Sequence, residues 1–145
     1  MTEKNSIGWQ KQPDKLNIQG TIEKAIEAIT GEVVDLQASG RTDSGVHSLG
    51  QVANFKTNSN IPIEKIPIAL NTNLKKSILI KSAEEVDENF HSRLSCKRKT
   101  YRYIINNSKN GTAIYRNLET HIPMKLDIEK MKQAVKFFEG EHDFK

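Results

Sequence analysis

Residues Ala38–Phe55 read ASGRTDSGVHSLGQVANF and join two short apolar segments through a polar loop. One acid, Asp43, stands near the middle of the loop, and Arg41 lies two residues before it. Gly40 and Gly45 bracket this pair, and glycine permits the positive φ and the close backbone approach of a tight loop. Such a loop between two strands, with an acid beside an arginine, is a common place for a binding or catalytic site.

The residues of this loop leave more than one interpretation open. Arg-Thr-Asp-Ser-Gly is also an ordinary turn sequence, in which Asp43 bonds to nearby backbone and Arg41 is solvated. A metal loop is disfavoured, because no second acid stands at a ligand spacing and His47 is a lone imidazole. The pattern therefore indicates a candidate site without defining a reaction.

Composition narrows the class of protein. The chain has 145 residues, which suffices for one domain with a core, and we predict a single domain over residues 1–145. The formal net charge of +4 permits a polyanionic partner without requiring one. Cys96 is the only cysteine, so no intramolecular disulfide is possible and a cytoplasmic location is expected. We expect neither export nor membrane insertion, because an apolar signal core and a long apolar run are both missing.

Apolar spacing and capping residues predict the helices and strands. Asn17 is a plausible N-cap and Gly31 a stop for a helix over residues 18–30, in which isoleucines recur at helical spacing. We read residues 1–6 as a loose tail and residues 11–15 as a loop. Further helices are predicted at 64–71 and from 128 to a stop at Gly140, and strands at 33–37, 50–56, 77–82 and 97–105. This order indicates a mixed α/β or an α+β domain.

Large side chains have predicted packing roles. Trp9 is expected to anchor a core, because a large ring is most often buried. The stripe Ile128, Met131, Val135 and Phe138 is expected to face the core for the same reason that most helical apolar stripes do. Alternation along residues 97–105 places the side chains of two tyrosines on one face, and the second of them, Tyr103, is expected to pack.

Five stretches in order resemble the tRNA pseudouridine synthase A family, over nearly the whole chain. The stretches are GWQ at 8–10, GRTDSGVHSLGQV at 40–52, FHSR at 90–93, KTYRY at 99–103 and GEHDF at 140–144. Ser44 stands where the family usually has alanine. MTEKNS stands where the first strand of the family is expected, and the chain stops where the second half of the catalytic domain is expected.

The resemblance implies a fold and an activity. The implied fold is α+β, a mostly antiparallel sheet with helices packed on one side, of which this chain is an incomplete N-terminal part. The implied activity isomerises uridine to pseudouridine in the anticodon stem-loop of tRNA, at positions 38–40. Family members need no cofactor or metal and work as homodimers on tRNA. The isolated fragment is expected to be inactive, because it lacks the far wall of the cleft.

The resemblance also assigns roles to residues of this sequence. Asp43 matches the nucleophile, Tyr101 the active-site tyrosine that stacks on the flipped base, and Arg41 a residue that grips RNA phosphate or holds the flipped-out state. His47 and Arg93 match positions near the site and are expected to contact RNA. The densest basic cluster is expected to contact the RNA backbone, although such runs are usually only solvated surface; it comprises Lys97, Arg98, Lys99 and Arg102.

Two rival functions remain at this point. A truncated, non-catalytic RNA-binding module would keep the basic surface without the chemistry. A structural or interaction domain would show no salt-sensitive RNA binding. Conversion of uridine in RNA separates the first rival from the enzyme, and the salt dependence of binding excludes the second.

Overall fold

The helix α1, residues Ile18–Thr30, has the bounds that its caps predict. The computed structural model describes residues 8–11 and 17–143, so the predicted tail and most of the loop at 11–15 lie outside the described residues. Asn17 accepts a hydrogen bond from the Gly20 N–H at 2.8 Å through its side-chain oxygen. Gly31 takes a left-handed φ of 74° and donates its N–H to the carbonyl of Glu27 at 2.8 Å. Both ends of the helix are thus satisfied locally.

One face of α1 forms the centre of an apolar core. Ile26 is completely buried, and each fully buried aliphatic side chain contributes about 1.5–3 kcal/mol of hydrophobic stabilisation. The predicted core role of Trp9 is confirmed. The buried hydrophobic residues are Trp9, Ile22, Ala25, Ile26, Leu36, Ile66 and Leu70.

A short antiparallel pair carries the chain into and out of the loop. Strand β1 (Gln37–Ala38) pairs with β2 (Ala53–Asn54), with Gln37 opposite Asn54. The strand predicted at 50–56 contains both residues of β2, whereas only Gln37 of the strand predicted at 33–37 lies in the ladder. Val33 is exposed and has no neighbouring strand among the described residues, which explains why the ladder does not extend toward it.

A second helical segment packs on α1. A 3₁₀ turn at Ile63–Lys65 leads into α2, Ile66–Asn73, with a proline in the first turn of α2. The helix predicted at 64–71 is thereby confirmed. The strand predicted at 77–82 is wrong, because no strand pairs with these residues, all of which are described. The side-chain amide of Asn71 pairs with the Ile80 backbone instead of a strand. It donates to the Ile80 carbonyl at 2.8 Å and accepts from the Ile80 N–H at 2.9 Å.

The chain divides into two compact units, Met1–Thr100 and Tyr101–Lys145. In the second unit, strand β3 (Ile105–Asn106) pairs in parallel with β4 (Thr120–His121). Helix α3 (Ile128–Val135) follows, and a 3₁₀ turn at Lys136–Phe138 ends it. Only the last residue of the strand predicted at 97–105 is in a ladder. The single domain predicted for residues 1–145 stays a prediction.

Helix α3 begins as predicted, but its apolar stripe does not lie in a core. Asp127 caps the helix by accepting from the Lys130 N–H at 3.0 Å. The expectation that the stripe is buried is wrong for this chain, because no described part of its own unit covers it. Exposed fractions are 50% for Ile128, 41% for Met131, 54% for Val135 and 66% for Phe138.

The described residues thus have an α+β fold with three α-helices and two two-stranded sheets. One strand pair is antiparallel and the other parallel. The predicted mostly antiparallel sheet of the complete fold stays a prediction. No helix in the described part of the chain is long and apolar enough to cross a membrane.

Candidate active site

The loop that carries Asp43 leaves the β1–β2 pair and turns sharply at its acid. The Ser39 N–H donates to the Val52 carbonyl at 2.8 Å and closes the loop at its base. The Val46 N–H donates to the Asp43 carbonyl at 3.2 Å, and Gly45 has a φ of 82° at the third position of this turn. A positive φ at that position strongly favours glycine. Asp43 begins the turn, and its side chain is exposed to solvent.

Two contacts hold the loop backbone from opposite sides. The Trp9 N–H donates to the Thr42 carbonyl at 2.9 Å. The Gln51 side-chain amide donates to the Gly40 carbonyl. The carbonyls of Gly40 and Thr42 are therefore fixed, whereas the arginine side chain between them is exposed. Arg41 and Asp43 form no ion pair with each other in the part of the chain that the structure describes.

A concave surface of about 300 Å³ opens beside the loop in the first unit. Trp9, Leu36 and Ala38 supply its apolar part. Among the described residues, three cations and no carboxylate line it; the cations are Arg41, Arg93 and Lys99. A concave surface with several cations attracts anionic groups such as phosphates, and guanidinium groups bind phosphate oxygens in pairs. Asp43 is not among the residues that line the concave surface.

The position of Arg93 depends on a buried serine that the sequence analysis missed. Ser92 is buried, and its hydroxyl donates to the Gln37 carbonyl at 2.8 Å. Its N–H donates to the Asn54 side-chain oxygen at 2.8 Å. These bonds attach residues 90–93 to the β1–β2 pair and bring Arg93 to the concave surface. The only sequence signal is that Asn54 interrupts an otherwise apolar strand segment, which suggests a polar group needed in the interior.

Lys99 is brought to the concave surface, unlike the two basic residues before it. Its ammonium group lies over Gly40, where an added Cβ would be 3.3 Å from the nitrogen. Lys97 and Arg98 are exposed and do not line the concave surface. His47 is exposed on the Asp43 loop. The roles predicted for these side chains stay predictions.

Tyr101 and Arg102 begin the second unit, and both are exposed. Tyr101 has 77% of its surface exposed, so its ring is accessible for stacking. The expectation that Tyr103 packs is wrong, because 88% of it is exposed. No group of three or more histidine, cysteine, aspartate and glutamate side chains that could hold a metal is found among residues 8–11 and 17–143.

The chain matches a family model described as tRNA pseudouridine synthase over residues 4–95. A curated relative from Caldicellulosiruptor saccharolyticus, named tRNA pseudouridine synthase A, is 54% identical over 140 residues, which is 97% of this chain and 57% of the relative. Relatives of the same name from Caldicellulosiruptor bescii and Acetivibrio thermocellus are 53% and 51% identical and are covered to the same 57%, over 96% and 97% of this chain. The chain thus spans little more than half the length of the curated relatives it matches.

Proposed function

This chain belongs to the tRNA pseudouridine synthase family, and we propose that the complete protein isomerises uridine to pseudouridine in tRNA. The observation that carries the proposal is the family match across residues 4–95, which contain the whole Asp43 loop. Relatives named tRNA pseudouridine synthase A match nearly all of the chain at about half identity. The exposed acid on a fixed loop, beside a cationic concave surface, suits an enzyme that acts on a polyanion.

The reaction explains why an acid and no cofactor is proposed. The bond between uracil N1 and the ribose C1′ breaks, and C1′ then bonds to C5 of the same base. The proton leaves C5, and N1 ends with a proton, so atoms balance and nothing is oxidised or reduced. Asp43 supplies the nucleophilic carboxylate. Its exposure on the loop gives it access to a nucleotide, whereas a carboxylate buried in the core would have none.

The concave surface supplies a place for RNA phosphates next to this carboxylate. Arg41, Arg93 and Lys99 provide three positive charges around it. Phosphate contacts of this kind position a nucleic acid without reading its sequence. Lys97 and Arg98 add basic side chains in the first unit, Arg102 adds one in the second unit, and His47 lies on the loop itself. This distribution favours backbone binding, with the uridine chosen by RNA shape.

Tyr101 is proposed to stack on the uracil after it is flipped out of the helix. Extruding a base costs about a few kcal/mol, and stacking on an aromatic ring returns about 1–3 kcal/mol. The accessibility of the ring supports this role. Its hydroxyl is proposed to assist removal of the proton from C5.

The finer features of the complete protein are proposals of the same kind. They are a target in the anticodon stem-loop at positions 38–40, a homodimer, a cytoplasmic location and a mostly antiparallel sheet with helices on one side. The family membership supports each of them. A catalytically inactive RNA-binding module is the alternative to be excluded by experiment.

The test maps pseudouridine in unmodified tRNA after incubation with the complete protein, by sequencing that detects pseudouridine at single-nucleotide resolution. The proposal expects new pseudouridine in the anticodon arm, at one or more of positions 38–40. Pseudouridine elsewhere would keep the activity and contradict the target. Salt-sensitive tRNA binding without any pseudouridine would instead establish the non-catalytic module.

A further inference from the structure

The segment Gly8–Trp9 lies between helix α1 and the loop that carries Asp43. The Gly8 carbonyl accepts from the Ile18 N–H at 3.3 Å, and the Trp9 carbonyl accepts from the Gln19 N–H at 3.0 Å. These are first-turn amides of α1, which have no partner within the helix. On its other side the segment contacts the loop, through the Trp9 N–H bond to the Thr42 carbonyl at 2.9 Å. The segment therefore connects the best-buried helix to the loop.

Gly8 makes the closest approach to the loop, and its backbone has a conformation that other residues adopt with strain. Its φ is 66°. A Cβ added at Gly8 would lie 2.6 Å from the Thr42 carbonyl oxygen, 3.3 Å from the Asp43 carbonyl carbon and 3.3 Å from the Ser44 nitrogen. The obstacle is backbone on both sides of Asp43, not the end of a flexible side chain. Any side chain at position 8 would thus push the peptide units that aim the Asp43 carboxylate.

The segment itself has little freedom to move away. The Trp9 ring is buried in the core with Ile22, Ile26 and Leu36. Two polar side chains of α1 also fix the backbone at Leu36, directly before β1 and the loop. Gln19 donates to the Leu36 carbonyl at 3.2 Å, and Glu23 accepts from the Leu36 N–H at 3.3 Å. A displacement caused at position 8 is therefore taken up by the loop.

We infer that Gly8 and Trp9 are positioning residues for Asp43, which seat its loop on the core and set the place of its carboxylate. Neither residue needs to touch substrate through this contact. The effect on catalysis rests on the proposed function, whereas the contact between Gly8–Trp9 and the loop does not depend on it. A misplacement of reacting groups by about 1 Å can cost about 10²-fold in rate, so the effect belongs to the chemical step and not to tRNA binding.

Gly8→Ala in the complete protein tests the inference, with Gly31→Ala as its matched control. Gly31 has a φ of 74°, but a Cβ there would meet nothing within 4 Å. Both variants therefore place an alanine at a similar left-handed φ, and only Gly8→Ala collides with the loop. We expect kcat of Gly8→Ala to fall about ten-fold or more with a tRNA Kd close to the wild-type value, and kcat of Gly31→Ala to stay close to wild type. Equal losses in the two variants, or a wild-type kcat in Gly8→Ala, would overturn the inference.

Two further measurements keep the result interpretable. If Gly8→Ala does not fold, the pair Gly8→Asn and Gly31→Asn replaces it, because asparagine tolerates a left-handed φ but still has a Cβ. If the wild-type protein forms no pseudouridine, the proposed function fails, and amide hydrogen exchange tests the seating itself. Faster exchange of the Trp9 and Val46 amides in the Gly8 variant than in its Gly31 counterpart then supports the seating of the loop, and equal exchange rejects it.

Discussion

Different interactions stabilise the interior of each of the two compact units. The first unit has an apolar core, which surrounds Ile26 and includes residues from helices, loop and strand segment. In the second unit no described residue is fully buried. Its turns are fixed by polar side chains instead: Asn107 donates to the carbonyls of Ile122 and Met124 at 2.6 Å, and Glu119 accepts from Asn106 at 2.7 Å. Hydrogen bonds exposed to water contribute little net stability, so the second unit gains less from folding than the first.

This difference between the units shows how far an apolar stripe on a helix predicts burial. Helices α1 and α3 both follow a side-chain cap and both carry aliphatic residues on one face. The centre of the α1 stripe is buried. In the stripe of α3, Met131 is 41% exposed and the other three side chains are more exposed than that. Periodicity states which residues share a face, but burial also needs an opposing surface.

The largest expected effect comes from the first unit. Asp43→Asn in the complete protein should leave no turnover, because an amide cannot act as the nucleophile, while tRNA binding stays within about three-fold since the phosphate contacts remain. Pseudouridine formation and filter binding are measured together. Asp35→Asn, an exposed acid of the same unit outside the loop, is the control. Turnover above about 1% of the wild-type rate would remove Asp43 from the mechanism.

Substitution of Tyr101, in the second unit, should lower the catalytic rate less than substitution of Asp43. Tyr101→Phe keeps the ring and removes the hydroxyl, so the rate should fall by about 10²–10⁴ if that hydroxyl assists proton transfer, with little change in tRNA affinity. Tyr103→Phe is the matched control, since both tyrosines are exposed. Equal losses in the two variants would refute a specific role, and a wild-type rate in Tyr101→Phe would leave stacking alone.

Core substitutions compare the stability of the units directly. In the 145-residue chain, Ile26→Ala should lower the free energy of unfolding by about 2–5 kcal/mol, because it opens a cavity in a packed core. Val135→Ala should lower it by less than about 1 kcal/mol, because that side chain is half exposed. Urea unfolding measures both. Equal losses would contradict the comparison, and a larger loss for Val135→Ala in a longer chain would show that the stripe of α3 gains a covering surface there.

The smallest expected effect concerns the basic residues. Binding of tRNA should weaken with salt, and each phosphate neutralised contributes about 0.7–0.9 to the slope of log K against log salt. Changing Arg98 and Lys99 to alanine should lower that slope by about one to two. The control changes Lys130 and Lys132, which form ion pairs with Asp127 at 3.6 Å and with Glu129 at 2.9 Å and so have compensated charge. An unchanged slope in the first variant, or an equal drop in the control, would place the RNA elsewhere.

The sequence predicted best what short-range interactions determine. Asn17 and Gly31 define the ends of α1 through contacts within four residues of themselves, so the helix was predicted to the residue. The strand predicted at 77–82 was wrong, because Ile80 pairs with the side chain of Asn71 and not with a neighbouring strand. The Asp43 loop was identified as a candidate site, whereas its contacts with Trp9 and Gln51 join residues far apart in sequence. Pairing partners and opposing surfaces are long-range properties, which residue patterns do not contain.

Release of tritium from tRNA labelled at C5 of uridine tests the central claim most directly. Isomerisation must free the C5 hydrogen, so the complete protein should release tritium in proportion to the pseudouridine formed. Release should continue with a metal chelator present and without any added cofactor, since no redox step occurs. Binding of the labelled tRNA with no release of tritium would contradict the account, and would leave an RNA-binding protein without the chemistry proposed for Asp43.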